Sequence, residues 1–406
     1  MQESQFLEKL ADEIVRLEPK DRNEISKIRQ KLLRELKPNS FPSFAKILNY
    51  LPSQKISLYK DMLSIKPNRI ISGVFPLTVM IGSIACAHGK CIFCPGGPNS
   101  YFGDTPQSYT GNEPASKRAK RNDYDSYLQA FNRLEQYCAT NKTPNKIEII
   151  INGGTFSATS VYYQDSFAGY IYKALNDFSD KFILNNNLDF EKFKEFFLLP
   201  GDIKDATRST EIKNKVLTLK GSLDLELEKN KNQTASVRVV AFCVETKPDW
   251  SKQEHINQML KMGVTRVELG IQCLDDDILT KTHRGHTLAD SIEATQLLKD
   301  SFLKVGYHMM PGLPGSSHQK DILMFKEIFE NHDFKPDALK IYPCMVMPGT
   351  GLYHMYKKGL FKPITTDVAA EIIVEAKRYI PEYCRVMRVQ RDIPTNITEA
   401  GVNKTN

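Results

Sequence analysis

The chain has 406 residues, 41% hydrophobic and 25% charged, with a net charge of +7. That length allows one large domain plus a smaller lobe, and the composition excludes disordered, collagen-like and disulfide-stapled classes. No apolar run nears the roughly 20 residues that span a bilayer, and the charged start MQESQFLEKLADEIVRLEPKDR is unlike a signal peptide, so a cytoplasmic protein with no membrane partner is expected.

The positive charge is concentrated early: residues 1–70 hold 14 Lys or Arg against 9 Asp or Glu. In RNEISKIRQKLLREL the apolar Ile25, Ile28, Leu32 and Leu36 recur at helical spacing, with Lys27, Arg29, Lys31 and Arg34 between them. This predicts an amphipathic helix that ends at KPNSFPSF, followed by a second helical piece. On charge alone the basic face suits a polyanion or plain solvation equally. A change to β-branched apolar sequence places the end of this helical lobe near residue 72, giving a first domain of 1–72.

From there strands and helices alternate. A strand precedes Cys86, and KIEIIINGG, VRVVAFCVET, VTRVELGIQ, LKVGYHMMPGLPG and ALKIYPCMV follow, separated by helical stretches such as SIEATQLLKDSF and DILMFKEIFENH. Repetition of this kind predicts an α/β fold with a parallel sheet and crossover helices. About six units are legible, fewer than the eight of a closed barrel, so an incomplete (β/α)6 TIM-like barrel over 73–385 is expected. Ligands bind at the C-terminal ends of such strands, where Gly153, Gly154, Thr155, Glu245 and Gln272 fall as cofactor-binding candidates. Residues 179–236 read as a polar helical insertion without chemistry.

CAHGKCIFCPGG places Cys86, Cys91 and Cys94 within nine positions. In a reducing compartment such a cluster points to metal, and dense thiolates select zinc or iron–sulfur. His88 could complete a Cys3His zinc set. Alternatively, three thiolates hold a [4Fe–4S] cluster and leave one iron open for the amino and carboxylate groups of S-adenosylmethionine. Gly96 and Gly97 would then let the backbone approach the cluster, Pro95 would stiffen the loop, and His88 and Lys90 could donate toward it. NGGT at 152–155 suits the methionine amino group of that cofactor. Glu245 suits a ribose diol or a structural ion pair. The other five cysteines read as small buried apolar residues.

CAHGKCIFCPGGPNS, QSYTGNEPASKRA, NGGTF, VETKPDW, TRVELGIQ, RGHT, HMMPGLPGS, LKIYPCMVMPGTGLY and RVMRVQRDIP together resemble the elongator protein 3 family, catalytic subunits of Elongator. The resemblance runs from about residue 72 onward, apart from the insertion. It implies a radical S-adenosylmethionine barrel with a small helical N-terminal lobe, its cluster on Cys86, Cys91 and Cys94. It implies carboxymethylation of tRNA wobble uridine 34 at carbon 5, with acetyl-CoA as co-substrate and Lys146 matching a lysine assigned to it. Lys117, Arg118, Lys120 and Arg121 in KRAKR, with Lys27, Arg29, Lys31 and Arg34 of the N-terminal lobe, become tRNA-binding candidates. A homodimer or an Elongator-like assembly is the corresponding quaternary expectation. Ala87 stands where the family usually has Pro, and Lys247 where Arg is usual. Residues 386–406 read as the start of a linker, with the family's acetyltransferase-like domain expected to be absent. A tRNA-binding scaffold, or a truncated subunit without turnover of its own, is the alternative.

Overall fold

Short apolar segments bounded by glycine, asparagine or aspartate form the strands, and residues of helical period cover them. The structure, a computed structural model, describes residues 2–39, 41–63, 71–201 and 205–404. In chain order the strands are β1 (Val74–Met80), β2 (Gly97–Ser100), β3 (Gly103–Thr105), β4 (Lys146–Asn152), β5 (Ile183–Leu184), β6 (Asn187–Leu188), β7 (Arg238–Thr246), β8 (Arg266–Gln272), β9 (Lys304–Met309), β10 (Ala338–Ile341) and β11 (Arg385–Val389). Seven of them form one sheet in the order β1-β4-β7-β8-β9-β10-β11, while β2-β3 and β5-β6 are small hairpins.

The pairs β7-β8, β8-β9, β9-β10 and β10-β11 are all parallel. This is the partial-barrel α/β fold, with one strand more than the six expected. The seventh, β11, is RVMRV: two arginines interrupt its apolar character and its side chains are only half-buried, so it lacks the run that marks a core strand.

Two compact units divide the chain, one formed by 1–77, 127–147 and 170–240, the other by 78–126, 148–169 and 241–406. Residues 64–70, just ahead of the boundary expected near 72, lie outside the described residues. So do 202–204, inside the expected insertion, and 405–406, inside the expected linker.

In the first unit, helix Glu3–Leu17 and helix Arg22–Leu36 pack on a core of Phe6, Leu7, Leu10, Ile14, Ile25, Leu48, Leu51 and Tyr59. Asp21 caps the second helix by accepting from the amides of Asn23 and Glu24. Ile25 is fully buried, and Ile28, Leu32 and Leu36 pack against the same core. A second apolar centre in this unit is aromatic. Phe178 lies 4.9 Å from Phe182, 5.8 Å from Phe131 and 6.4 Å from Phe193, ring centre to ring centre. Phe182, Phe193 and Phe197 all come from 179–236, so the stretch that reads as a polar insertion supplies core.

The second unit carries the C-terminal halves of the strands and their crossover helices. Local chemistry ends these helices where the sheet needs them to end. Gly263, at φ +85°, closes Gln253–Met262, and a Thr287–Asp290 capping box opens Leu288–Asp300. Among the described residues no helix is long and apolar enough to cross a membrane. Cys138, Cys243, Cys273, Cys344 and Cys384 are all buried, as expected of packing residues.

Phe178→Ala removes a ring that four other rings surround. It should lower the unfolding free energy by about 3–5 kcal/mol, read as a shifted urea midpoint in circular dichroism. A midpoint within error of wild type would show that the aromatic centre is not load-carrying for this unit.

Candidate active site

The loop after β1 turns twice, with the Gly89 amide donating to the Cys86 carbonyl and the Cys94 amide to the Cys91 carbonyl, each at 3.0 Å. These turns bring Cys86, Cys91 and Cys94 onto one wall of a cavity of about 290 Å³. Cys91 and Cys94 are buried and Cys86 is half-buried. Each sulfur has polar company. The Cys91 Sγ lies 3.2 Å from His88 Nε2 and 3.3 Å from Arg284 Nη1. The Ser108 amide donates to Cys94 Sγ at 3.3 Å, and the Cys94 thiol donates to Gln107 Oε1 at 3.1 Å. The Cys86 Sγ is 3.7 Å from Thr155 Oγ1.

Burial pushes the Cys86 and Cys94 thiols up from their ordinary value, so loading a metal there releases protons and is favoured by rising pH. Burial, then the nearby Lys247 and Arg284, pulls His88 down to about 4, leaving it neutral near pH 7. A single tetrahedral zinc at about 2.3 Å would hold its sulfurs about 3.8 Å apart. Among the described residues, Cys86, His88, Cys91 and Cys94 do not supply three ligand atoms within 4.8 Å of one another. The wider triad, with nitrogen groups at Cys91 and Cys94, a hydroxyl at Cys86 and, among the described residues, no carboxylate hydrogen-bonded to a sulfur, fits an anionic [4Fe–4S] cluster better than one zinc ion.

Gly154, Thr155, Glu245 and Gln272 line the same cavity. Gly96, Gly97 and Gly153 do not line it, and their lack of a side chain has another cause. A Cβ on Gly96 would sit 2.2 Å from the Pro106 carbonyl and 2.4 Å from that of Tyr109. The glycine lets the 105–109 loop close over Cys94. Gln272 ends β8 at φ +73°, a backbone conformation that a non-glycine residue rarely holds, and its Oε1 is buried without a partner.

The opposite wall is ionic. Glu245 and Glu268 share Lys340, whose Nζ is 2.8 Å from Glu245 Oε1 and pairs with Glu268 Oε2. His308 Nε2 is 2.8 Å from Glu268, and Arg266 bridges Glu268 and Glu148. Burial alone would raise the Glu268 carboxyl, but Lys340, His308 and Arg266 outweigh it and hold the group well below its ordinary value. Burial opposes the charge on Lys340, yet Glu245, Tyr342 and Glu268 keep its pKa well above the ordinary one. Glu245, Glu268 and His308 bring ligand atoms within 4.8 Å, but Lys340 and Arg266 already supply the charge a divalent ion would bring. Glu245 is therefore ion-paired at the edge of the cavity. The neighbouring Lys247 is buried and pairs with Asp249 at 3.1 Å.

Other expected residues lie away from this cavity. Lys146 is exposed at the first position of β4, while Asn152 at the strand's other end lines the cavity; seven residues of strand span about 20 Å. Lys117, Arg118, Lys120 and Arg121 sit on helix Pro114–Arg121, whose first-turn Ala115 and N-cap Glu113 line the cavity. Lys117, Lys120 and Arg121 are exposed, but Arg118 donates to the Thr78 carbonyl at 2.9 Å. In the first unit Lys27, Lys31 and Arg34 are exposed. Arg29 is not offered to solvent in the same way: it donates to the Pro42 carbonyl at 2.7 Å and lies 4.7 Å over the Phe44 ring. Sequence reasoning assigned no role to Gln107, Arg284, His308, Lys340 or Tyr342. Their neighbourhoods were visible as RGHT, HMMPG and LKIYP, but nothing in one dimension says that these strings converge.

Glu268 contributes stability above the ordinary carboxylate range near 4.3, and that contribution is lost as pH falls through its depressed native value. Lys340→Met leaves two carboxylates facing each other and should cost about 3–5 kcal/mol near neutral pH. The deficit should shrink on acidification below about pH 4 as those carboxylates take up protons. Urea unfolding at several pH values measures this, and a pH-independent deficit would assign the loss to packing.

Two family models match the chain: the radical SAM superfamily over residues 189–325 and the Radical_SAM C-terminal domain over 336–406. A tRNA uridine(34) acetyltransferase of Methanocaldococcus jannaschii is 44% identical over 402 residues, covering 99% of this chain and 66% of that protein. Elongator complex protein 3 of Saccharomyces cerevisiae is 35% identical over 381 residues, covering 93% of this chain and 61% of its own length. The solved structure of archaeal Methanocaldococcus infernus Elp3 with an N-terminal deletion superposes with a TM-score of 0.61 at 38% identity, covering 82% of this chain and 60% of that one. The chain thus spans just under two thirds of the length of these relatives. Across that span, its sequence and its partial barrel make it a member of the elongator protein 3 family of radical SAM proteins.

Proposed function

We propose that this chain carries the radical-generating site of a tRNA-modifying enzyme that acts at carbon 5 of wobble uridine 34. The observation that carries the reading is the cavity itself, lined by three thiols, by ion-paired carboxylates and by Asn152, Thr246 and Gln272 at the C-terminal ends of β4, β7 and β8. A [4Fe–4S] cluster on Cys86, Cys91 and Cys94 would supply the electron that splits S-adenosylmethionine into methionine and a 5′-deoxyadenosyl radical.

The remaining chemistry belongs to residues of the chain. Thr155 and the Gly154 backbone suit the methionine end of the cofactor, next to Cys86. Glu245, paired with Lys340 at 2.8 Å, is the acceptor for a ribose diol. Lys340, His308 and Tyr342 surround the far side, where a proton released or taken up by the substrate can be held; burial pushes the Tyr342 hydroxyl up to about 12, so it enters as a donor. Acetyl-CoA is the proposed co-substrate and carboxymethylation the proposed outcome, on the strength of the family. Lys146 as an acetyl-CoA contact draws no support from its place at the far end of β4.

The test is anaerobic reconstitution with iron and sulfide, followed by S-adenosylmethionine, reductant, tRNA and acetyl-CoA. Formation of 5′-deoxyadenosine, abolished by Cys91→Ala, together with a mass increase at uridine 34, is expected. Deoxyadenosine without a changed base would assign acyl handling to the length of the relatives that this chain does not span. Tight tRNA binding with neither product would favour a binding scaffold.

Exposed Lys27, Lys31, Arg34, Lys117, Lys120 and Arg121 are the proposed phosphate contacts. If three of them meet phosphates, log affinity for tRNA should fall against log salt with a slope of about −2 to −3. Replacing Lys117, Lys120 and Arg121 together by Gln should flatten that slope, and an unchanged slope would remove helix Pro114–Arg121 from the interface.

A further inference from the structure

Arg284 is a buried guanidinium, 6% exposed, and among the described residues it has no carboxylate within ion-pair distance. Leaving such a charge uncompensated in a low-dielectric site is costly. Its two terminal nitrogens are committed elsewhere: Nη2 donates to the Gly270 carbonyl at 2.5 Å, and Nη1 points at Cys91 Sγ, 3.3 Å away. The group this cation faces is therefore the Cys91 sulfur.

The loop that delivers Arg284 is fixed against the cysteine loop at several points. The Ile92 amide donates to the Thr282 carbonyl at 3.2 Å, and the Arg284 amide to the Leu279 carbonyl at 2.9 Å. Gly285 holds φ +68°, and a Cβ there would lie 2.6 Å from the Cβ of His88. That absence of a side chain seats His88 beside Arg284, so an imidazole nitrogen and a guanidinium N–H reach the same sulfur. The three cysteines are thus served unequally. Cys91 receives a guanidinium and an imidazole, Cys94 one backbone amide, and Cys86 a hydroxyl at longer range.

We propose that Arg284 is a positioning residue that counter-charges Cys91 and sets the reduction potential of a cluster bound there. The inference rests on the cluster assignment under Proposed function. On taking up one electron from an external reductant the cluster gains one unit of negative charge, which a fixed cation at a ligand sulfur stabilises more than it stabilises the oxidised form. Arg284 therefore raises the midpoint potential and eases loading of the electron that the cofactor cleavage consumes.

The experiment is a dye-mediated redox titration of the reconstituted protein, followed by electron paramagnetic resonance of the reduced cluster, for wild type and Arg284→Gln. Arg378→Gln, an exposed substitution on a surface helix end, is the control. At a fixed applied potential the ratio of reduced to oxidised cluster should fall about tenfold in Arg284→Gln, equivalent to about 59 mV for a one-electron couple. It should not move in the control. A loaded Arg284→Gln cluster with unchanged potential overturns the proposal. Wild type labelled with 15N-arginine gives a second test independent of whether the variant folds: the reduced cluster should show a weak hyperfine coupling to an arginine nitrogen, and its absence overturns the proposal as well. A wild-type protein that takes up zinc and no iron is a different failure, since it removes the cluster assignment and this inference with it.

Discussion

Withdrawing thiolates from water is the constraint around which this molecule is arranged. A buried sulfur anion needs N–H donors and positive charge at contact distance, because the surrounding protein cannot reorganise as solvent does. Here the partners of the sulfurs arrive from separate parts of the chain: His88 from the cysteine loop, the donating Ser108 amide and the accepting Gln107 Oε1 from the segment after the β2-β3 hairpin, and Arg284 from the loop after β8. None is adjacent in sequence to all three cysteines. The parallel sheet makes the arrangement feasible, since every strand delivers its C-terminal loop to the same end.

The carboxylates that line the same cavity obey the same rule, anion met by cation. Two carboxylates, Glu245 and Glu268, share Lys340, Arg266 also pairs with Glu268, and the register of the sheet sets their positions. Glu245 pairs with Glu268 across β7-β8, and Lys340 stands opposite His308 across β9-β10. Side chains two apart on one strand share a face, so parallel neighbours stack their charges in a layer. The site is thus lined by two groups of acidic side chains, thiols and carboxylates, each with its own cations.

Much of this was legible in the sequence. The strand-helix alternation declared the fold class, and the cysteine spacing declared the metal chemistry, because both signals are local. Strand β11 was hidden by Arg385 and Arg388, and a strand that is only half-buried carries no apolar run to detect. The partners of the cysteines were hidden for a different reason. Gln107 and Arg284 are ordinary polar residues whose meaning lies in a contact across 13 and 193 positions of chain. Gly96 was legible as special, and the fold adds a packing reason: the space a Cβ would need is filled by the carbonyls of Pro106 and Tyr109. Lys146 and Arg29 were chosen by type and position, while strand direction and a stacked Phe44 decide where they act.

The aromatic centre of the first unit bears on how this chain could be shortened. Phe193 and Phe197 close over Phe178 and Phe182, while Asn176 grips the helix Leu225–Asn232 through Glu228 and Asn232. Excising residues 179–236 as a dispensable decoration would strip one face of a long helix and orphan its amide. A minimal version of the protein would have to retain that stretch, which is bulk architecture although its surface composition disguises it as ornament.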